Sequence, residues 1–381
     1  METRFEALRA RFPLLARKTY LNSGSYGALA IEVEAAVQAY LRDRNEAGAD
    51  WELWVGKHEA VRQGLAVLLG VAADEIAVTA SASAGLNALA SALDFTGGRD
   101  TVVTTDFEFP TSAQIWHAQA PRGARVVHAH PRQDGYIPLE AFEALIDERT
   151  RIVAATQVCY RNGAKLDVAG LARLAHARGA LMLLDCYQTV GSEPIDLKAL
   201  GVDFAIGGMM KYLIGTAGIG FLYARAELIP GLVPTASGWF AQADIGAMDI
   251  TANHPSPTAR RFEAGTPAVV NAYAAEAGLK IISDLGTQAI GDRVRCLTRL
   301  LLDRLQAIGW PAITPDLDAR RGPLVAVPSR DAAGLCAELA RQGIVTSHRD
   351  GNVRAGVHAY NNEDDIETLI AALEAARGGF R

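Results

Sequence analysis

Two charged side chains stand out in this sequence because each is surrounded by apolar residues. Lys211 is the one charged residue in IGGMMKYLIGTAGIGFLY, and burial lowers the pKa of a lysine toward values that suit Schiff-base chemistry. Asp185 closes the apolar run ALMLLD, where an unpaired carboxylate is costly, so we expect a cationic group to meet it. The plainer interpretations are a surface lysine in a glycine-rich hairpin and an aspartate that caps the next turn.

A serine-rich turn supplies a candidate anion site. TASASAGLN follows the apolar run EIAV and opens a helical pattern, so Ser81 and Ser83 stand where free backbone N–H groups and the helix dipole favour a phosphate. A simple serine helix cap is the alternative. Together, the turn, Lys211 and Asp185 match pyridoxal 5′-phosphate (PLP), which needs a phosphate cradle, a lysine for its aldehyde and a carboxylate opposite its pyridine nitrogen.

The elements that position these residues follow from the alternation of apolar runs and helical patterns between Glu75 and about Arg225. This alternation predicts an α/β fold with a mainly parallel, seven-stranded sheet between helices, and ligands bind such sheets at the carboxyl ends of the strands. A smaller α+β unit follows the long helical pattern after Pro267. We expect a large cofactor-binding domain over residues 15–265, and a small domain over 266–381 together with 1–14.

Composition excludes several classes of protein. Of the 381 residues, 50% are hydrophobic and 21% are charged, and the net charge is −6, which disfavours disorder and nucleic-acid binding. No apolar stretch approaches the length of a membrane span, so we expect a cytoplasmic protein. His128 and His130 share a strand face but lack a third ligand, and we expect no metal site. The four cysteines are expected to be reduced thiols: Cys159, Cys186, Cys296 and Cys336.

The chain resembles the class V aminotransferase family of fold-type I PLP enzymes, which includes cysteine desulfurases, isopenicillin-N epimerase-like proteins and kynureninases. The resemblance runs from YLNSGSYG at Tyr20 to RAGVHAYNNEDD at Arg354, and it is strongest in DCYQTVGSEPIDLKALGVDFAIGGMMKYLIGTAGIGFLY. It implies that Lys211 forms the internal aldimine, that Asp185 pairs with the pyridinium nitrogen and that Gln188 contacts the phenolic oxygen.

The resemblance also implies roles for residues elsewhere in the chain. RRFEAGTP is similar to a segment that reaches the phosphate of a neighbouring subunit, so Thr266 implies a homodimer with shared active sites. The implied cofactor-binding residues are Ser81, Ala82, Ser83, Phe109, Asp185, Gln188, Lys211, Trp239 and Thr266. The implied substrate-binding residues are Asn22, Tyr160 and Arg354, of which the arginine binds the substrate carboxylate.

The motifs resemble those of more than one reaction type. Met210 stands where desulfurases carry His and kynureninases carry Tyr, and the stretch IVTSHRDGNVRAG lacks the cysteine of desulfurases. Gln188 follows the desulfurase pattern, whereas Phe109, Tyr160 and Trp239 resemble kynureninase. We therefore expect an enzyme that acts on an α-amino acid through an internal aldimine and a quinonoid, either as a transaminase or as a lyase that eliminates at the β-carbon. An amino-acid epimerase is the alternative.

Two hypotheses from other classes remain to be weighed. GTAGIG superficially suggests a nucleotide-binding dehydrogenase, but it runs into the strand-like FLYAR instead of opening a helix, which disfavours that hypothesis. A protein that binds the cofactor without turnover is the other, and the sequence leaves it open.

Overall fold

The computed structural model describes residues 2–381. The α-helices of this part of the chain are α1 (Glu2–Arg9), α2 (Ile31–Ala47), α3 (Trp51–Leu69), α4 (Ala82–Ala92), α5 (Pro110–His117), α6 (Leu139–Glu143), α7 (Val168–Ala177), α8 (Leu197–Leu200), α9 (Val269–Leu285), α10 (Thr287–Ala307), α11 (Ala332–Arg341) and α12 (Glu363–Phe380). The strands are β1 (Thr19–Tyr20), β2 (Ile76–Thr79), β3 (Thr101–Thr105), β4 (Arg125–Ala129), β5 (Thr150–Thr156), β6 (Leu181–Asp185), β7 (Phe204–Gly208), β8 (Gly220–Ala224), β9 (Leu324–Pro328), β10 (Ile344–Val345), β11 (Ser347–Arg349) and β12 (Asn352–Gly356).

The central sheet has seven strands in the order β2-β8-β7-β6-β5-β3-β4. Strand β8 runs antiparallel to both of its neighbours, and the other pairs are parallel. Each apolar run predicted as a strand supplies one of these strands, so the α/β fold with its mainly parallel sheet is confirmed. GTAGIG leads into β8 rather than into a helix, so it does not form a dinucleotide-binding turn.

Alternate residues of the central strands point to opposite faces of the sheet. On β6, Met182 and Leu184 join the hydrophobic core beneath α3, α7 and α9, whereas Leu183 joins the core beneath α4 and α5. Because both faces are covered, apolar residues occupy both faces of the inner strands. Asp185 breaks this pattern at the last position of β6, and it therefore lies at the carboxyl edge of the sheet.

The turn that carries Lys211 is closed by its own backbone. The Ile214 N–H donates to the Lys211 carbonyl at 3.2 Å, and the Gly215 N–H donates to the Met209 carbonyl at 2.8 Å. Ile214 has a φ of +59°, a conformation that costs on the order of 1–3 kcal/mol in a residue other than glycine. A Cβ on Gly27 would collide with the Lys211 carbonyl, so the N-terminal segment holds this turn from the other side.

The C-terminal part of the chain forms a separate α+β unit. Its three-stranded sheet, β11-β12-β9, is covered by α10, α11 and α12 and has a hydrophobic core of its own. Helix α9 instead packs against α2 and α3 in the core of the large sheet. The two-domain division remains a prediction, and these contacts favour grouping α9 with the large domain.

Residues 231–265 are largely irregular, as the sequence predicted. They contain short 3₁₀ turns at Trp239–Ala241 and Ala259–Phe262. Arg261 fixes this region by donating to the backbone carbonyls of Ser256, Ile229 and Leu232 at 2.6–2.8 Å. Within residues 2–381, no helix is both long enough and apolar enough to cross a membrane.

Candidate active site

A cavity of about 410 Å³ opens at the carboxyl edge of the central sheet. Parallel strands bring their carboxyl ends to one edge, so side chains distant in sequence meet there. The cavity lining includes nine of the residues that the sequence predicted for the site: Ser81, Ala82, Ser83, Phe109, Tyr160, Asp185, Gln188, Lys211 and Arg354. Met210 also lines it.

Lys211 is only 8% exposed. Its Nζ lies 4.4 Å from the centroid of the Tyr187 ring and 5.7 Å from that of Phe109. Burial, opposed by the charge of Asp185 and assisted by that of Arg354, lowers the pKa of Lys211 to about 8. An amine with such a pKa is substantially neutral near pH 8, and a neutral amine is the form that acts as nucleophile or base.

Asp185 is buried at the end of β6. Its Oδ1 accepts a hydrogen bond from the Tyr187 N–H at 2.9 Å. Burial raises the pKa of Asp185, although the Tyr187 N–H, the Lys211 charge and the Ser112 hydroxyl all favour the ionised form. A cationic ring nitrogen beside this carboxylate would stabilise its charge, because an opposite charge is worth most where water is excluded.

Two further residues of this region were missed by the sequence analysis. Tyr187 follows Asp185 in DCYQ, lines the cavity and packs its ring over Gly208. Glu108 is buried behind the cavity, and its Oε1 accepts hydrogen bonds from Thr105 Oγ1 at 2.8 Å and from the Thr156 N–H at 2.7 Å. Burial and the charge of Asp185 raise the pKa of Glu108 to about 8. Glu108 therefore ties the ends of β3 and β5 together beside the cavity.

The N-terminus of α4 lies at the cavity wall and has the properties of an anion site. Ser81 caps the helix by accepting from the Ala84 N–H at 3.1 Å, so the plainer interpretation of this serine holds as well. The N–H groups of Ala82 and Ser83 precede the first intrahelical bonds and lie at the positive end of the helix dipole. Gly220 on β8 passes so close that an added Cβ would lie 2.6 Å from the Ala82 nitrogen.

Arg354 and part of the N-terminal segment also line the cavity. The Arg354 Nη1 donates to the Tyr160 carbonyl at 2.6 Å, and its Nη2 donates to Ser347 Oγ at 2.8 Å and to Ser25 Oγ at 3.3 Å. Its Nε is buried without a partner. The same holds for Oδ1 of Asn22, which lies next to the cavity-lining Gly24 and Ser25 but does not itself line the cavity.

These residues fit PLP on several independent features. Phe109 is 46% exposed at the cavity wall, which is unusual for so large an apolar ring and suits the face of a planar heterocycle. Gln188 donates to the Gly24 carbonyl at 3.0 Å, yet its Oε1 is buried without a partner. Buried polar atoms are rarely left unpaired, so such orphaned atoms indicate that a polar ligand belongs here.

Two predicted cofactor-binding residues lie outside this cavity. Trp239 is partly exposed and packs edge-to-face against Trp51, with ring centroids 5.7 Å apart. Thr266 is exposed and lines a different pocket together with His58. The predicted cofactor-binding roles of Trp239 and Thr266 therefore require a second subunit, whose site these residues would complete. On α3, Trp54 and His58 are buried, whereas Trp51 is 43% exposed.

His128 on β4 and His130 just beyond the strand contact one carboxylate. His128 Nδ1 lies 3.1 Å from Oδ1 of Asp106, and His130 Nδ1 lies 2.6 Å from Oδ2 of the same residue. Residues 2–381 contain no cluster of His, Cys, Asp and Glu side chains arranged to hold a metal ion. The four cysteines are unpaired, and none of them lines the cavity.

Comparisons with known proteins assign the chain to a family. Residues 52–369 match the family model described as Aminotransferase class-V. The Bacillus subtilis (strain 168) protein named uncharacterized aminotransferase YcbU is 33% identical over 377 residues, covering 98% of this chain and 99% of that protein. A kynureninase from Deinococcus radiodurans is 32% identical over 395 residues, covering 96% and 92%.

A solved structure agrees with this assignment at the level of the fold. The apo structure of a cysteine desulfurase from Thermococcus onnurineus NA1 matches with a TM-score of 0.89 at 24% identity, covering 98% of each chain. This similarity confirms the fold expected from the sequence. The family match confirms the expected cofactor, PLP. The chain belongs to the class V aminotransferase family of PLP-dependent enzymes.

Proposed function

We propose that this enzyme removes the α-proton of an amino acid and then either transfers its amino group or eliminates a substituent from its β-carbon. The observation that carries the proposal is one cavity that holds a buried lysine with a pKa lowered to about 8, a buried aspartate and a buried arginine. When bound, PLP supplies an electron sink for the pair left at the substrate Cα.

Each residue of the chain has a separate task in this proposal. Arg354 would bind the α-carboxylate and so orient the substrate Cα for reaction. Lys211 would hold the cofactor by its aldehyde, and its neutral amine, when free, would take the α-proton. Asp185 keeps a proton on the pyridine nitrogen. Phe109 packs on one ring face, and the buried walls around Lys211 exclude water.

The residues that line the cavity also indicate which product the enzyme releases. No cysteine lines the cavity, which favours a product that leaves free over one that is passed to a protein thiol. Similarity to a kynureninase and to a protein named as an aminotransferase supports both elimination and amino transfer. Epimerisation shares the proton-removal step and is a third outcome of the experiment.

The test is a screen of L-amino acids with the purified holoenzyme, in D₂O, with and without a 2-oxo acid. Amino transfer gives the 2-oxo acid of the donor only when an acceptor is present, elimination gives product without one, and epimerisation gives the D-amino acid. Mass spectrometry identifies the products and the uptake of deuterium at Cα. If no amino acid is consumed and none exchanges its α-proton, the proposed function is wrong and the protein binds PLP without turnover.

We further propose that the active form is a homodimer with shared sites and that it is cytoplasmic. Trp239 and Thr266 are accessible on the surface, and the nearby loop exposes Met248 by 65% and Ile250 by 97%. Such apolar exposure suits burial against a second copy of the chain. Cys296, an exposed and unpaired thiol, suits a reducing compartment.

Mixing two inactive variants tests the shared site. Lys211→Ala and Thr266→Glu are each expected to be inactive, the second because an added carboxylate repels the phosphate. Hybrid dimers of the two variants contain one site with both native groups, so up to about a quarter of the wild-type activity should return for random mixing with half hybrids. Absence of rescue in a mixture that demonstrably contains hybrids would contradict sharing, and Thr266 would then serve only its own chain.

A further inference from the structure

Two arginines of one hairpin reach the same cavity. Arg349 ends β11, Arg354 lies in β12, and both line the cavity. The strands pair antiparallel, with Ser347 opposite Arg354 and Arg349 opposite Asn352. Arg354 is 4% exposed, whereas Arg349 is exposed to solvent. The two guanidinium groups therefore lie at different depths, the first inside the cavity and the second at its mouth.

Neither arginine has a carboxylate partner within residues 2–381. Arg354 donates to a carbonyl and two hydroxyl groups, and Arg349 donates to the carbonyl of His348 at 2.9 Å. Burial and then the charge of Arg349 lower the pKa of Arg354, so the two cations are close enough to repel each other. The nearest acid of the hairpin, Asp350, pairs with Arg161 at 3.3 Å.

The charged groups of the lining exceed what a monocarboxylic substrate and PLP require. Its cations are Lys211, Arg349 and Arg354, and its one acid is Asp185. In the proposed function Lys211 holds the cofactor, Asp185 meets the ring nitrogen, the α4 N-terminus takes the phosphate and Arg354 takes the α-carboxylate. The proposed function gives Arg349 no role. A guanidinium at a cavity mouth is suited to binding a further carboxylate.

The backbone that carries Arg349 is fixed. Asn352 Nδ2 donates to the Asp350 carbonyl at 2.7 Å and to the Arg349 carbonyl at 3.4 Å. Asp350 and Gly351 have φ values of +47° and +73°, which form the tight turn of the hairpin. A fixed backbone reduces the entropy that is lost when a side chain binds a ligand.

We propose that Arg349 binds a second acidic group of the substrate, so that the enzyme selects dicarboxylic over monocarboxylic compounds. This inference rests on the proposed amino-acid chemistry. The shared ligand chemistry is a carboxylate two or three carbons beyond the reacting centre, supplied either by an amino acid with an acidic side chain or by a dicarboxylic 2-oxo acid that accepts the amino group.

Unreactive acids test the site without turnover. Calorimetric titration of the holoenzyme compares glutarate with valerate, and succinate with butyrate, as pairs of similar length that differ in one carboxylate. Loss of a charge-assisted hydrogen bond typically changes affinity by about 10-fold or more. We expect at least one diacid to bind about 10-fold more tightly than its monoacid. Arg349→Gln should remove this preference and Arg349→Lys should keep part of it.

A matched control is Arg173→Gln, because Arg173 is exposed on α7 and does not line the cavity. This variant should keep the full diacid preference. Equal affinity for diacid and monoacid in the wild type, or a preference that survives Arg349→Gln, would overturn the proposal. These results are independent of turnover, so the diacid site can stand if the amino-acid screen fails, and it can fail if the screen succeeds.

Three reactive ligands, two amino donors and one acceptor, then identify the source of the second acid. Apparent dissociation constants are measured from the change in cofactor absorbance, with L-aspartate and L-glutamate as donors and 2-oxoglutarate as acceptor. A rise of about 10-fold for the donors in Arg349→Gln assigns the group to the amino acid, and a rise for 2-oxoglutarate assigns it to the acceptor. If none of these dissociation constants changes, Arg349 does not bind substrate.

Discussion

Replacing Lys211 by alanine is expected to lower kcat at least about 10³-fold for every amino acid, because the variant loses both the group that holds the cofactor and the base that takes the α-proton. The fold should persist. Lys211 is buried in a cavity that lowers its pKa, so its removal relieves a desolvation cost rather than breaking a core contact. Steady-state kinetics and thermal unfolding of the same preparations measure the two effects.

The matched control is Lys280→Ala. Lys280 is exposed on α9 and pairs with Asp284 at 3.0 Å, and surface pairs of this kind contribute about 0–1 kcal/mol. Its kcat should equal that of the wild type. A Lys211→Ala enzyme that keeps more than a tenth of wild-type turnover would contradict the role of Lys211, whereas a variant that fails to fold would contradict the argument from desolvation.

The second large effect is expected at Asp185. Asp185→Ala should lower kcat by about 10²–10³-fold, because removing one partner of a buried charge pair typically costs about 3–5 kcal/mol. Asp185→Glu keeps the charge and should lose much less activity. Asp185→Asn keeps the shape without the charge, so it should behave like alanine. The Tm of the cofactor-free protein should not fall in the asparagine variant, since burial raises the pKa of Asp185 and its ionised form is therefore costly.

Asp203 is a control for Asp185, because its replacement should lower stability without affecting the cofactor. It is also buried, pairs with Arg225 at 3.0 Å and with His176 at 2.9 Å, and accepts from the Met182 N–H. Asp203→Asn should lower Tm by roughly 5 °C or more through the broken pairs and leave the cofactor absorbance unchanged. For Asp185 itself, near-normal turnover of the Asp185→Ala enzyme would rule out a role of this carboxylate at the ring nitrogen.

Much of the fold could be predicted because its determinants are local. Each central strand is a short apolar run between turn residues, and two covered faces explain why those runs do not alternate. Lys211 and Asp185 could be found for the same reason, since each is a charge where the local pattern requires apolar residues. Glu108 gives a similar signal, because it is a carboxylate between two phenylalanines in DFEFPT. In that segment only Phe109 matches a position of the family motif.

Other features depend on contacts that no local pattern contains. Arg349 lines the cavity only through the tertiary fold, which brings the β11–β12 hairpin to it, and nothing in SHRDGN distinguishes this residue from a surface arginine. Ser25 matters through its contact with Arg354, 329 residues away. Trp239 and Thr266 lie outside the cavity of their own chain, so their proposed roles depend on a second subunit.

The most direct test of PLP attachment is borohydride reduction of the purified holoenzyme, followed by proteolysis and mass spectrometry of the peptides. Reduction fixes the cofactor to the lysine that holds it. We expect a single phosphopyridoxyl label, on the peptide that contains Lys211, and no label in Lys211→Ala. A label on a peptide with another lysine, such as Lys165 beside Glu193, would contradict the assignment of Lys211 as the lysine that holds PLP.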